Sequence, residues 1–219
     1  MEKKDTRLVW GSPTQCTHSD HVLLRDGIAI SRKYPDEKHP ANRWKRICGS
    51  IAALLRTTPV CFEHGAGCLS SLITEANRIR FPTIPEILSV ESRSGVTDYY
   101  IAHKLFAAKV VHLTDVKPAN DLVEALSCRD AVLRYKGASG LMFTYPSIMS
   151  DDYEGLIAMF RGDYIIYTGD LRFTGHATPS ELLRQITWCF TELIRVSFAG
   201  WGGTSHQGHL VLYTRKKLQ

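Results

Sequence analysis

No apolar stretch in the sequence approaches the roughly 20 residues that a membrane-spanning helix requires, so a helical membrane protein is not expected. The opening residues, MEKKDTRLVW, hold no apolar core of the kind an export signal needs. The expected setting is therefore intracellular, cytoplasmic or nuclear. Internal repeats and low-complexity tracts are missing, which argues against solenoid and collagen-like architectures. Cysteine is scarce, with 6 irregularly spaced residues in 219, and in such a setting these are reduced thiols rather than a disulfide framework. A dinucleotide-type G-x-G-x-x-G is lacking. The Gly65-x-Gly67 pair has no Lys-Ser/Thr behind it, so it makes no phosphate loop.

What is present is ordinary for a globular chain. The apolar fraction is 44% and the charged fraction 22%, which excludes a disordered protein. A chain of this size hides roughly 70% of its unfolded surface, enough for a real core. Charge is unevenly placed. Residues 1–60 carry 11 Lys/Arg against 6 Asp/Glu, while residues 61–219 carry 16 of each, so the whole net charge of +5 lies in the N-terminal quarter. A solvated basic extension accounts for this. So does attraction to an anionic partner, with nucleic acid as the partner class.

Residues 1–40 are dense in turn formers, such as Gly11-Ser12-Pro13 and Tyr34-Pro35-Asp36, and predict a basic, loosely ordered arm with one short hairpin near Asp26-Gly27. Residues 41–80 predict two helices packed on the rest. The first carries Trp44, Ile47, Cys48, Ile51, Leu54 and Leu55 at helical spacing and ends at Thr58-Pro59. The second runs from about Leu69 to Arg80, stopped by Phe81-Pro82.

From residue 81 to 219 the pattern alternates. EILSV (86–90), KVVHL (109–113), LMFTY (141–145) and YIIYT (164–168) read as strands. Between them, SGVTDYYIAHKLF, DLVEALSC capped by Asn120-Asp121, and DDYEGLIAMF read as helices. Thr178-Pro179-Ser180-Glu181 opens a last helix, SELLRQITWCF. Two strands, ELIRVSFA and HLVLYTR, then follow with no helix between them. Strand–helix alternation implies right-handed βαβ units on a parallel sheet, and the last pair implies an antiparallel hairpin.

This order resembles the class I S-adenosylmethionine-dependent methyltransferase superfamily, over about residues 81–219. The resemblance implies an α/β, Rossmann-like methyltransferase sheet, mostly parallel with a terminal antiparallel β-hairpin, preceded by the N-terminal helical extension. It also implies S-adenosylmethionine as cofactor, with no metal. That superfamily carries a turn of the type Ile-Gly-x-Gly-x-Gly after its first strand, where this chain has Val90-Glu91-Ser92-Arg93-Ser94-Gly95. By resemblance the cofactor-binding residues are Ser89, Glu91, Ser92, Arg93, Gly95 and Asp115. Asp115 matches the acid that ends the second strand and accepts from ribose hydroxyls. The turn ending the fourth strand, Thr144-Tyr145-Pro146-Ser147, makes Tyr145 and Pro146 the catalytic candidates. It has one proline, no amide and no aspartate, which argues against a cap 2′-O-methyltransferase.

Two of the three family glycines are replaced by charged residues. Either Glu91 and Arg93 point away and the turn admits the ligand, or Arg93 fills the pocket with Glu91, Asp115 or Asp98 as its partner. The first arrangement expects a methyltransferase of unknown acceptor. The second expects a non-catalytic binding or scaffolding module on the same fold. A nucleotide-dependent oxidoreductase is disfavoured by the terminal hairpin and the missing glycine fingerprint. Elsewhere, Cys61, His64 and Cys68 at i, i+3 and i+7, with Cys16, His18 or His21, match no zinc finger and are read as unligated. His206 and His209 are read as polar residues of the last loop, with the mouth of the site as the alternative.

Overall fold

The computed structural model describes residues 22–23, 40–57, 59–62, 67–146, 153–171, 180–199 and 207–217. Its framework is a seven-stranded sheet. Four strands alternate with helices as the periodicity predicts: β3 (Glu86–Val90), β4 (Val110–Asp115), β6 (Gly140–Thr144) and β7 (Tyr164–Gly169). The closing pair is β8 (Phe190–Ala199) and β9 (Gln207–Arg215), and a short strand, β5 (Glu124–Ala125), completes the set. The spatial order is β5-β4-β3-β6-β7-β9-β8. The first five strands in that order run parallel, while β9 lies antiparallel between β7 and β8. This is the expected α/β, Rossmann-like sheet, mostly parallel with a terminal antiparallel hairpin. A separate two-stranded pairing joins β1 (Val22–Leu23) to β2 (Val60–Cys61) in parallel.

Helices cover both faces. On one side lie α1 (Pro40–Thr57), α2 (Leu69–Ala76) and α3 (Val96–Phe106). Their buried residues Trp44, Ile47, Ile51, Leu69, Leu72, Ile101 and Phe106 join Ile87, Met142 and Ile166 of the sheet in one apolar core. The α1 stripe meets α3 directly, since the Trp44 ring stacks on Tyr99 with centroids 4.2 Å apart and planes 7° from parallel. On the other side, α4 (Cys128–Arg134), α5 (Leu156–Met159) and α6 (Ser180–Cys189) pack on Leu88, Leu141, Ile165 and Tyr167.

Two expectations need correction. The helix expected from Asn120-Asp121 does not form: residues 121–122 are a turn, Glu124–Ala125 is the edge strand β5, and the helix starts at Cys128. Asn120 is not an N-cap. Its Oδ1 accepts from Leu122 N (2.8 Å) in a tight local turn, and its Nδ2 donates to Ser94 O (2.8 Å). Ser127 caps α4 instead, accepting from Asp130 N at 3.1 Å. The second helix also ends at Ala76 rather than Arg80, with Asn77 at its C-cap. The hairpin expected near Asp26-Gly27, the residues 178–179 of the last capping box, and Cys16, His18, His21, His64 and His206 lie outside the described residues. Among the described residues no helix is long and apolar enough to cross a membrane.

Candidate functional site

The carboxyl ends of β3, β4, β6 and β7 meet along one edge, and β3 has β4 on one side and β6 on the other. The order in which the chain adds strands therefore reverses at β3–β6, from leftward β3-β4-β5 to β6-β7 on the other side, and this is the place where open α/β sheets hold ligands. The turn leaving β3 has an unusual backbone. Glu91 (φ 55°), Arg93 (φ 52°) and Gly95 (φ 71°) are all left-handed. These are the three positions where the resemblance expects glycine. Only Gly95 is relieved of the steric cost, which for other L-residues is about 1–2 kcal/mol each. Gly95 is required by space as well. A Cβ there would lie 2.6 Å from Leu113 Cδ1 and 3.0 Å from Val123 Cγ2.

What holds this turn is the exit of β4. Arg93 N donates to Asp115 Oδ2 (2.9 Å), Ser92 N to Thr114 O (3.0 Å), and Ala119 N to Arg93 O (3.0 Å). Asp115 Oδ1 accepts from Lys117 N at 2.7 Å. Asp115 thus stands at the strand end and reaches the turn. Each carboxylate oxygen uses one acceptor position on the protein and retains another for a hydroxyl. Arg93 is exposed. Glu91 is turned the other way, and its carboxylate accepts a hydrogen bond from the Tyr153 hydroxyl. Tyr153 is 3% exposed, and burial together with the Glu91 charge holds its phenol far above the ordinary range.

Beneath the turn lies a carboxyl that sequence reasoning named only as a partner for Arg93. Asp98, in the first turn of α3, is 4% exposed. Ser89 Oγ donates to its Oδ1 at 2.8 Å. Burial pushes its pKa up to about 6, against the opposing help of the Ser89 hydroxyl. Thr144 also approaches Asp98 and helps the Ser89 hydroxyl hold the carboxylate down, whereas the buried hydroxyls of Ser92, Thr97 and Thr168 find no hydrogen-bond partner among the described residues. Thr144 and Thr168 are register partners on adjacent strands. The edge therefore combines a buried acid with polar atoms whose hydrogen bonds are unmade, each costing about 1–3 kcal/mol if left so. Acids in a first helical turn are commonplace, so nothing local in the sequence marks Asp98 out. Its burial depends on where α3 sits against β3 and β6.

The two catalytic candidates follow Thr144. Tyr145 is also left-handed (φ 49°), and its N donates to Thr168 O at 2.7 Å. That conformation sends its ring to the segment before α2. Phe62 meets it edge-on with centroids 5.1 Å apart, and a Cβ at Gly67 would lie 2.2 Å from its hydroxyl. Burial holds the Tyr145 phenol well above its ordinary range, so it stays a proton donor at neutral pH. Pro146 is buried beside it. The structure thus places Ser89, Glu91, Ser92, Arg93, Gly95 and Asp115 in and around one turn, and Tyr145 and Pro146 at the end of the adjacent strand β6 along the same edge. His209 lies on β9, where its Nδ1 is 3.1 Å from Ser197 Oγ of β8. Among the described residues no group of His, Cys, Asp and Glu is arranged to hold a metal ion.

No protein-family model matches the chain, and no curated protein matches it. Among solved structures it is similar to the N-methyltransferase NodS from Bradyrhizobium japonicum WM9, with 13% identity, a TM-score of 0.44, and coverage of 66% of this chain and 94% of that one. It is also similar to TrmK of M. capricolum in complex with S-adenosyl-homocysteine, with 10% identity, a TM-score of 0.44 and coverage of 67% and 68%. A third such structure is TrmN from Thermus thermophilus, with 12% identity, a TM-score of 0.45 and coverage of 68% and 49%.

Proposed function

We propose that the chain is an S-adenosylmethionine-dependent methyltransferase acting on an acceptor still to be identified. One observation carries this reading. The β3–α3 turn keeps three alternating left-handed residues, at 91, 93 and 95, although two of the three glycines that would adopt them at little cost are gone. A turn that held its shape for no purpose would relax out of two strained positions. Pinned by Asp115, it presents the backbone rather than side chains to the strand edge.

The residues present fit the cofactor. Asp115 has acceptor positions left for ribose hydroxyls. Val116, 57% exposed and next in sequence, offers an apolar face for a base. Asp98 and Ser89 suit an ammonium group, and the unpaired hydroxyls of Ser92 and Thr97 suit a carboxylate. When bound, the cofactor supplies an electrophilic methyl group on a sulfonium. The protein's part is to align an acceptor with that methyl, since transfer rests chiefly on positioning. The exposure of Arg93 supports an open turn over a blocked one. Thr144, Tyr145 and Pro146 are the proposed acceptor-side residues.

Calorimetric titration with S-adenosylhomocysteine tests the reading, with micromolar binding expected. A flat titration at millimolar ligand would instead favour the non-catalytic module. That alternative has its own support, because the Tyr145 hydroxyl is packed against Gly67 rather than held open at the edge. The proposed setting is intracellular, cytoplasmic or nuclear. An anionic partner such as a nucleic acid is proposed for the basic N-terminal quarter, to which α1 contributes exposed Lys45, Arg46 and Arg56.

A further inference from the structure

Cys61 and Cys68 face each other across an isolated antiparallel bridge. Phe62 N donates to Gly67 O at 3.0 Å, while Cys68 N is used by Ala199 O at 3.0 Å. The cross-strand bond therefore joins the residues flanking the pair, which makes Cys61 and Cys68 a non-hydrogen-bonded pair. In such pairs the Cα atoms stand about 4.5 Å apart and the side chains share a face. That separation falls inside the roughly 4.4–6.8 Å that a disulfide spans. The two thiols form one buried cluster with Ala199, each cysteine being 2% exposed. No disulfide joins them. They also differ: Cys68 caps α2, and its Sγ accepts from Ser71 N at 3.4 Å, so a helix N-terminus supports negative charge on that sulfur.

We propose that Cys61 and Cys68 are a redox pair, closed to a disulfide by peroxide, that clamps Phe62 and Gly67 against Tyr145. The Cys68 thiolate attacks one peroxide oxygen. The O–O bond breaks, a sulfenic acid forms on Cys68, and hydroxide leaves to be protonated to water by the proton Cys68 gave up. Cys61 then attacks the Cys68 sulfur. The S–O bond breaks, the S–S bond forms, and a second water leaves carrying the Cys61 proton. Two thiols are oxidised and one peroxide is reduced to two waters. A small oxidant suits buried sulfurs, because a molecule of that size needs little room to reach them. The consequence reaches the strand edge through Gly67, the neighbour of Cys68. Gly67 touches the Tyr145 ring so closely that no Cβ fits between them. A covalent link at 61–68 fixes that contact and the position of the phenol.

The test uses the full chain. Protein is exposed to a small molar excess of hydrogen peroxide, blocked with an alkylating agent, digested and read by mass spectrometry. The expected product is one linked peptide pair joining Cys61 to Cys68, lighter by two hydrogens than its parts, with Cys16, Cys48, Cys128 and Cys189 alkylated. In Cys61→Ser, which keeps Cys68, a sulfenic-acid trap should label Cys68 and no link should form. Oxidised wild-type protein should also unfold at a higher temperature than the reduced form, and dithiothreitol should reverse the shift. Recovery of Cys61 and Cys68 both alkylated after peroxide, or their pairing with other cysteines, overturns the proposal. An unchanged unfolding temperature in protein shown to carry the link overturns the clamp.

Discussion

Two substitutions that look alike on paper should act in opposite directions. Glu91 and Arg93 both occupy left-handed backbone, at φ 55° and 52°. Placing glycine at either removes a strain of about 1–2 kcal/mol, less roughly 0.5–1 kcal/mol for the greater freedom glycine gives the unfolded chain. Arg93 is exposed, and its backbone bonds to Asp115 and Ala119 survive the change. Arg93→Gly should therefore stabilise the protein by about 0.5–1 kcal/mol, a rise of roughly 1–4 °C in Tm for a chain of this size. Glu91→Gly gains the same relief but leaves the Tyr153 hydroxyl buried without its acceptor, at about 1–3 kcal/mol. Its net effect should be a loss of up to about 2 kcal/mol. Adding Tyr153→Phe to Glu91→Gly deletes the orphaned hydroxyl and should recover most of that loss. Urea unfolding of the parent, these three variants and Tyr153→Phe alone, which closes the Glu91–Tyr153 double-mutant cycle, measures each quantity. A destabilised Arg93→Gly would show that the left-handed turn is not strained. Equal shifts for the two glycine variants would show that the Glu91–Tyr153 bond contributes nothing.

Three further outcomes are expected. Gly95→Ala combines a left-handed penalty with a clash at Leu113 and Val123, and should cost about 2 kcal/mol or more in chemical unfolding, with near-neutral behaviour refuting the packing argument. Asp98 has its folded pKa raised to about 6, so the folded state holds its proton after the unfolded chain has released it. Stability should thus fall as pH rises from about 4 to 6 and then level off, and Asp98→Asn, which keeps an acceptor for Ser89, should be about neutral at pH 4 but stabilising by about 1–3 kcal/mol at pH 8. The same variant should weaken S-adenosylhomocysteine at least tenfold, so an increment in stability that does not depend on pH, or unchanged affinity, would remove its assigned role. Asp115→Ala should lower affinity for S-adenosylhomocysteine by about 1–3 kcal/mol beyond what its loss of stability explains, read by titration well below the unfolding transition.

Elements with strong periodicity were legible from residues alone. EILSV is a strand over the same five residues, 86–90, because it is an apolar run between a proline and a turn. The terminal hairpin followed from two strands with no helix between them. The edge strand β5 was hidden. Asp121 to Cys128 carries an apolar spacing that suits one helix turn as well as a two-residue strand, and the choice was made by Asn120 binding Ser94, a contact 26 residues away. The candidate site divides the same way. Asp115 was legible because a strand end is a local feature. Asp98 was not, since its burial is set by packing of α3 over β3 and β6. The direction of Tyr145 was equally hidden, because it follows from one left-handed residue and from Gly67, far back in the chain.

The glycine motif illustrates why residue identity and backbone shape should be kept apart. From the sequence, two lost glycines argue for a filled or collapsed turn, since large side chains in a ligand-facing loop are hard to accommodate. In the structure the backbone is left-handed at 91, 93 and 95 all the same, and the side chains are disposed of separately. Arg93 is exposed, and Glu91 is engaged by Tyr153. The strain so incurred is offset locally: Asp115, Ala119, Asn120 and Thr114 supply four hydrogen bonds that hold the turn where free glycines would need less help. A glycine-rich turn reaches its shape through low intrinsic cost, whereas this one reaches it through outside restraint. The two solutions differ in how they fail. Removing a restraint such as the Asn120 amide should matter little in a turn of three glycines but should release this one toward relaxed backbone. Asn120→Ala in the parent should therefore weaken S-adenosylhomocysteine several-fold more than the same change made on an Arg93→Gly background. Equal losses on both backgrounds would mean that restraint and strain are not coupled, and that the turn is held by its packing on Leu113 and Val123 instead.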